Sequence, residues 1–141
     1  MTSCKIARDY LAKVEARLEA LRLFRDRGRY DDVVREAHEA VELLLKGALR
    51  FSGGDPPHRH DPAPLLLRHI GRLPPAWKAH ANEIRQLSEW LFAERSQAFY
   101  GDEDDLVPPS ELFERSEAEE VIGAVERLLG LYRLLLDTAK T

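Results

Sequence analysis

The residue best suited to chemistry in this sequence is Arg95, which falls on the apolar face of a predicted helix. Residues 83–100 contain no glycine or proline, and Ile84 and Leu91 belong to that face. At about 100° per residue, Arg95 lies within about 20° of Ile84 and about 40° of Leu91 around the helix axis. A guanidinium keeps its charge in proteins, so it needs a carboxylate, a phosphate or water there. Arg95 is therefore the centre of the candidate site.

Five further residues are candidates to act with Arg95, two of them as proton carriers and three as charged neighbours: His60 and Tyr100, then Glu42, Lys46 and Asp102. Arginine stabilises the charge of a phosphorane-like transition state, and a nearby imidazole or phenol can move a proton. Such a set suits metal-independent cleavage of RNA by its own 2′-hydroxyl. It equally suits simple phosphate binding. A third interpretation is structural, with the arginine paired to a carboxylate between helices.

The charged neighbours have local alternatives of their own. Glu42 and Lys46 are spaced i,i+4, which is typical of a surface ion pair on one helix. The other interpretation is that Glu42 supports Arg95 across the bundle. Asp102 shares the side of Arg95 only if the helix extends that far.

The motifs of other chemistries are missing from the sequence. His58 and His60 are two residues apart, but no Cys-x-x-Cys or His-Glu-x-x-His spacing is present, so we predict no metal site. The glycines after Ser52 lack the Gly-Lys-Ser/Thr of a phosphate-binding loop, and no nucleophile motif is recognisable. No cofactor is predicted.

Length and composition predict one domain over residues 1–141, with a single core. The net charge of −4 disfavours broad electrostatic binding of nucleic acid but leaves room for a local basic site. Cys4 is the only cysteine, and we find neither an apolar leader nor a membrane-spanning run. These features predict a cytoplasmic protein with no membrane partner.

Apolar periodicity predicts the elements that position these residues. We expect helices over about residues 3–27, 30–51, 62–73 and 76–100, and a last helix that opens with a capping box at Ser116–Glu119. The last helix is apolar around more than one stripe, so it is either central to the bundle or shared with a partner subunit. The connection over residues 101–109 is acidic and is a candidate mobile segment. The prediction is all-α, an up-down bundle of four long helices and one short helix.

Four pieces of the sequence, taken in order, resemble the HEPN family (higher eukaryote and prokaryote nucleotide-binding domain). They are GRYDD at 28–32, AHEAVELLLKGAL at 37–49, His60-Asp61 before a leucine-rich helix, and ERSQAFYGD at 94–102. The resemblance implies a helical homodimer whose cleft gathers the motif arginines of both subunits. It also implies a minimal nucleotidyltransferase as partner.

In the ribonuclease members of that family, a histidine follows the motif arginine with four to six residues between them. Arg95 matches the arginine, but Tyr100, Gly101 and Asp102 occupy the positions for the histidine. A phenol titrates near 10, so Tyr100 is a poor general base at neutral pH. In some members a tyrosine near this motif is modified by the partner transferase, and Tyr100 is the corresponding candidate here.

The resemblance therefore predicts a HEPN-like module that dimerises and binds RNA or nucleotide phosphate through Arg95. It would act with a nucleotidyltransferase in a toxin–antitoxin or defence system and be weakly catalytic or non-catalytic. The first alternative is a metal-independent endoribonuclease that uses Arg95 with Tyr100 or His60. The second alternative is a helical adaptor in which Arg95 only ties the bundle together.

Overall fold

The computed structural model describes residues 2–56 and 61–138, with side chains from residue 5 onward. Four long helices and two short ones account for most of these residues: α1 (Thr2–Asp26), α2 (Tyr30–Phe51), α3 (Ala63–Arg68), α4 (Pro75–Ala79), α5 (Ala81–Tyr100) and α6 (Arg115–Asp137). Single 3₁₀ turns follow α3 and precede α6. The described ranges contain no strand, only an isolated bridge between Asp102 and Val107. The all-α prediction is confirmed.

Helix α2 is the centre of the bundle, because it packs against α1, α5 and α6. Its apolar stripe is buried from Val33 to Leu49, and the small residues Ala37, Ala40 and Ala48 are fully covered. Small side chains let neighbouring helices approach closely, which explains how α1, α5 and α6 can all pack against α2. Helix α5, which carries Arg95, packs mainly on α2 and is a flanking helix of the bundle.

Two buried hydrogen bonds join α6 to distant parts of the chain, one to α1 and one to α4. The Tyr132 hydroxyl on α6 donates to the carbonyl of Ala7 on α1, and Trp77 Nε1 on α4 donates to the Leu131 carbonyl at 3.2 Å. Gly47 on α2 makes the first bond possible, since a Cβ there would overlap the Tyr132 hydroxyl. The Tyr132 hydroxyl and the Trp77 N–H are thereby satisfied inside the dense core.

Three predicted helix boundaries are wrong. The helix predicted over 76–100 is broken at His80, whose Nδ1 lies 2.8 Å from the Ala76 carbonyl. The short helix ends at Arg68, and a 3₁₀ turn covers Ile70–Arg72. The last helix begins at Arg115, and its capping contact runs from the Glu114 N–H to Glu117 Oε1 at 2.9 Å. The predicted capping box is therefore two residues too late.

The connection after α5 is a closed turn. Gly101 adopts φ 82°, and a Cβ there would overlap the Val107 carbonyl. Asp102 and Val107 exchange backbone hydrogen bonds of 2.9 and 3.0 Å. The carboxylate of Asp102 accepts the N–H groups of Asp104 and Asp105, both at 3.1 Å. Helix α5 ends at Tyr100, before Asp102. Asp102 therefore does not lie on the helix face that carries Arg95.

Candidate functional site

The site predicted around Arg95 lies in a groove of about 570 Å³ formed by α1, α2 and α5, which we call the arginine groove. Arginines from all three helices line it, together with two carboxylates, a histidine and two aromatic rings. The lining residues are Arg17, Arg35, His38, Glu39, Glu42, Leu43, Arg95, Ser96, Phe99 and Tyr100.

Arg95 is a partly buried cation on α5. Phe92, Ser96 and Phe99 lie within one helical turn of it in sequence, and Ser96 and Phe99 line the same groove. Within residues 2–56 and 61–138, Arg95 makes no hydrogen bond and no ion pair. A guanidinium that stays charged and has lost part of its water is suited to an anionic ligand.

The other two arginines share a small set of carboxylates. Arg17 Nε lies 3.2 Å from Glu36 Oε1 and 3.7 Å from Glu39 Oε2, and Arg35 Nη1 lies 3.7 Å from Glu39 Oε1. Burial and the neighbouring charge of Glu39 raise the pKa of Glu36, while Arg17 opposes this shift. One carboxylate, Glu39, thus serves two guanidinium groups, and among the described residues Arg35 has no other ion-pair partner.

Aromatic rings stand beside these cations. The Arg35 guanidinium carbon lies 4.5 Å from the centre of the Phe99 ring, a cation–π distance. The Tyr100 ring meets Phe99 edge-on, with ring centres 4.6 Å apart. Phe99 is 50% exposed and Tyr100 is 63% exposed. Exposed rings next to guanidinium groups are suited to a stacked base or to a second protein surface.

The structure brings together some of the predicted site residues and separates others. Arg95, Tyr100 and Glu42 line the same groove. Lys46 lies one turn beyond and pairs with Glu42 at 3.2 Å, as the i,i+4 spacing predicts. Asp102 belongs to the closed turn and is not part of the lining. His60 lies outside the described residues.

Seven of the ten lining residues were not predicted from the sequence, and those with a charged or titratable side chain are Arg17, Arg35, His38 and Glu39. Arg35 and His38 had a usable signal, because with Glu39 and Glu42 they form an i, i+3, i+4, i+7 polar stripe beside the apolar face of α2. His38 is only 8% exposed, and its ring centre lies 6.3 Å from that of Phe92 on α5. Arg17 had no local signal, since its place depends on how α1 meets α2.

Three guanidinium groups and two carboxylates in one open groove favour binding of a phosphate-bearing ligand. The described part of the chain holds no cluster of three or more histidine, cysteine, aspartate or glutamate side chains able to hold a metal ion. Among its helices, none is long and apolar enough to cross a membrane.

Comparison with known proteins supports a family assignment. The family described as HEPN domain matches residues 7–135, which is nearly the whole chain and includes every described residue of the arginine groove. No curated protein and no solved structure matches the chain. With its all-α fold and the extent of the match, this chain belongs to the HEPN domain family.

Proposed function

We propose that this HEPN domain pairs with a second copy and binds RNA or nucleotide phosphate in the arginine groove. In this proposal it works with a minimal nucleotidyltransferase in a toxin–antitoxin or defence system, and its own catalytic activity is weak or absent. The main observation behind this proposal is that Arg95 is a partly buried cation and has no ion pair among the described residues. A phosphate oxygen would supply the anionic partner that this guanidinium lacks.

The electrostatics of the groove support an anionic ligand despite the net charge of the chain. The whole sequence carries a formal charge of −4, whereas three arginines and two glutamates line the groove. Arg17 and Arg35 have carboxylate partners, so the positive charge in the groove that is left without one among the described residues is that of Arg95. Binding should accordingly be specific to this groove and weaken as salt is added.

The aromatic side chains of α5 support the pairing of two copies. Phe92 is 45% exposed, and Phe99 and Tyr100 are exposed by half or more. Large exposed rings near one end of a helix are typical of an interaction surface. A second copy seated there would bring a second Arg95 towards the same ligand, as the family resemblance implies.

Binding is tested with a fluorescently labelled single-stranded RNA and with ATP, each titrated at low and at moderate salt. Arg95→Ala is expected to weaken affinity by about tenfold or more, the effect of losing one charge-assisted phosphate contact. The matched control is Arg85→Ala, because Arg85 is an exposed residue of α5 outside the groove, and its hydrogen bond within the described ranges is to Asn82. Equal loss in both variants, or no binding by the native protein, would reject the proposal.

Pairing is tested by light scattering coupled to size-exclusion chromatography. A double substitution, Phe92→Glu with Phe99→Glu, is expected to convert a dimer to a monomer, because it places charges on the exposed rings. The control is Leu134→Glu, an exposed apolar residue of α6 that is absent from the groove lining. A native protein that elutes as a monomer at all concentrations would contradict this part of the proposal.

The second candidate function is a metal-independent endoribonuclease, and one observation favours it: Arg95 and Tyr100 line one groove. His38 lines it too, and an imidazole can accept and donate a proton, so His38 is the candidate for the part of the histidine that the family motif lacks. This function predicts RNA cleavage that resists EDTA and is lost in Arg95→Ala. Comparing Tyr100→Phe with His38→Gln identifies which group moves the proton. Cleavage retained in Arg95→Ala would reject the enzyme.

A further inference from the structure

A second depression of about 380 Å³ lies between α5 and α6, away from the arginine groove, and we call it the acidic cleft. Its walls are one face of each helix, at i, i+3, i+4, i+7 spacing. Its lining residues are Glu83, Gln86, Leu87, Trp90, Glu117, Glu120, Val121, Ala124 and Arg127. The span from 117 to 127 on α6 corresponds to about 15 Å of helix. The cleft is therefore a trough about as long as two to three helical turns.

The floor of the acidic cleft is apolar. Leu87 and Trp90 on α5 are only partly buried, while Val121 and Ala124 on α6 complete the floor. Helices α5 and α6 make few direct contacts, because each packs mainly on α2 and on a different second neighbour. Arg127 Nε and Glu83 Oε1, 2.7 Å apart, bridge the two helices at one end. The remaining length is left open with apolar surface at its base.

The rim of the acidic cleft carries an excess of negative charge. Glu83, Glu117 and Glu120 face one cation, Arg127, which the ion pair to Glu83 already neutralises. Glu120 has no hydrogen bond or ion pair within the ranges that the structure covers. Glu117 keeps its charge while its Oε1 accepts the Glu114 N–H in the capping contact. An occupant that presents cations beside Glu117 and Glu120 would compensate the charge of both carboxylates.

Trp90 adds an aromatic surface to this negative rim. Its ring packs edge-on to Phe113, with centres 6.3 Å apart and planes at 85°. An indole beside carboxylates attracts a lysine or arginine side chain, whose apolar stem also packs well on the ring. The chemistry of the cleft thus matches long cationic side chains better than anionic or purely apolar ones.

We propose that the acidic cleft binds a basic amphipathic helix of a partner protein, two to three turns long. Its apolar residues, at i, i+3, i+4 and i+7, lie on the Leu87–Trp90–Val121–Ala124 floor. Its lysines or arginines reach Glu117, Glu120 and the Trp90 ring. A second copy of this chain is a poorer occupant, because its formal charge is −4 and the arginines at the end of its α1 are paired with carboxylates. The proposal is independent of the arginine groove.

The test uses tryptophan fluorescence, since Trp77 is fully buried and Trp90 is the responsive indole. The probes are two synthetic 14-residue amphipathic helices with the same leucine pattern, one carrying lysines and the other glutamates on the polar face. The lysine peptide is expected to shift the emission of the native protein with saturation, and the glutamate peptide is expected to give no shift. Equal responses to both peptides, or none to either, would overturn the proposal.

Glu120→Lys locates the binding and is expected to weaken it about fivefold or more, since an attraction becomes a repulsion. The matched control is Glu89→Lys, an exposed position of α5 outside the cleft lining, which should bind as the native protein does. Equal weakening by both variants would show general charge attraction and reject the site. If Glu120→Lys instead changes the mass of a dimer by light scattering, the occupant is a second copy and the proposal is wrong.

Discussion

The two sides of α2 use the same helix in opposite ways. On the side of α1 and α6, Gly47 makes room for Tyr132, and the hydroxyl of that tyrosine donates to the Ala7 carbonyl. On the side of the arginine groove, which α1 also lines through Arg17, Arg35 shares Glu39 with Arg17, and Arg95 has no ion pair among the described residues. The first side is dense, and the buried Tyr132 hydroxyl on it is paired. The second side is open and its positive charge is incompletely paired.

This contrast separates stability from binding in one small domain. Close packing with satisfied polar groups makes the native state costly to disturb. Cations that lack carboxylate partners add little to folding but are ready to meet an anion. Substitutions on the dense side of α2 should therefore change stability, and those on the side of the arginine groove should change ligand binding.

The largest effect is expected for Gly47→Ala, because the added methyl would overlap the Tyr132 hydroxyl. We expect a loss of about 3 kcal/mol in the free energy of unfolding, from overpacking and a broken buried hydrogen bond. The measurement is equilibrium denaturation in urea. Gly130→Ala is the matched control in α6, where a Cβ meets nothing within 4 Å, so it should gain up to about 1 kcal/mol.

Combining Gly47→Ala with Tyr132→Phe should recover part of that loss, since the phenylalanine lacks the clashing oxygen. A Gly47→Ala protein as stable as the native one would show that this side of α2 is not tightly packed.

The next effect concerns Tyr132 and alkaline pH. Burial, with a smaller contribution from Tyr10, raises the pKa of Tyr132 above its usual value of 10.0. The unfolded phenol ionises first, so the stabilisation is complete below about pH 10 and is lost as pH rises further. Tyr132→Phe removes the hydrogen bond to the Ala7 carbonyl and should lower the free energy of unfolding by about 1 kcal/mol at neutral pH. The stability of this variant should then depend less on pH in the alkaline range. The measurement is equilibrium denaturation in urea between about pH 8 and about pH 11. If the free energy of unfolding falls equally steeply with pH in the native protein and in Tyr132→Phe, Tyr132 is not the group responsible.

A smaller effect is expected for the ion pair between Lys46 and Glu42. Both side chains are about one-fifth exposed and lie 3.2 Å apart on one helix. Lys46→Met should lower the free energy of unfolding by about 0.5 kcal/mol, and added salt should shrink the difference. Lys78→Met, at an exposed lysine of α4, is the control and should change stability less. If the free energy of unfolding fell by several kcal/mol, Lys46 would be essential for folding and not part of a weak surface ion pair.

The smallest effect on stability is expected for Arg95→Gln, which should stay within about 0.5 kcal/mol of the native protein because no described partner is lost. Arg17→Gln, which breaks contacts to Glu36 and Glu39, should be the more destabilising of the two. A loss of several kcal/mol in Arg95→Gln would mean that this arginine ties the bundle together. That result would favour the adaptor function and erase the contrast between the two sides.

Local signals account for the parts of this structure that could be predicted. Helix α2 runs from Tyr30 to Phe51 as expected, because its apolar period is unbroken and two aspartates occupy its first turn. The errors fall where several weak local signals compete. The break at His80 interrupts a continuous pattern, and Glu114 takes the cap that Ser116 was expected to supply.

Sequence alone determined that the chain is helical, where its long helices lie, that it resembles the HEPN family and that Arg95 is exceptional. Periodicity can do this because each helix sets the direction of its own side chains. Only the tertiary structure decided that Arg17, Arg35 and His38 join Arg95, that Asp102 does not, and that α5 and α6 leave a cleft. Those facts depend on which helices become neighbours, and that is set by packing between distant parts of the chain.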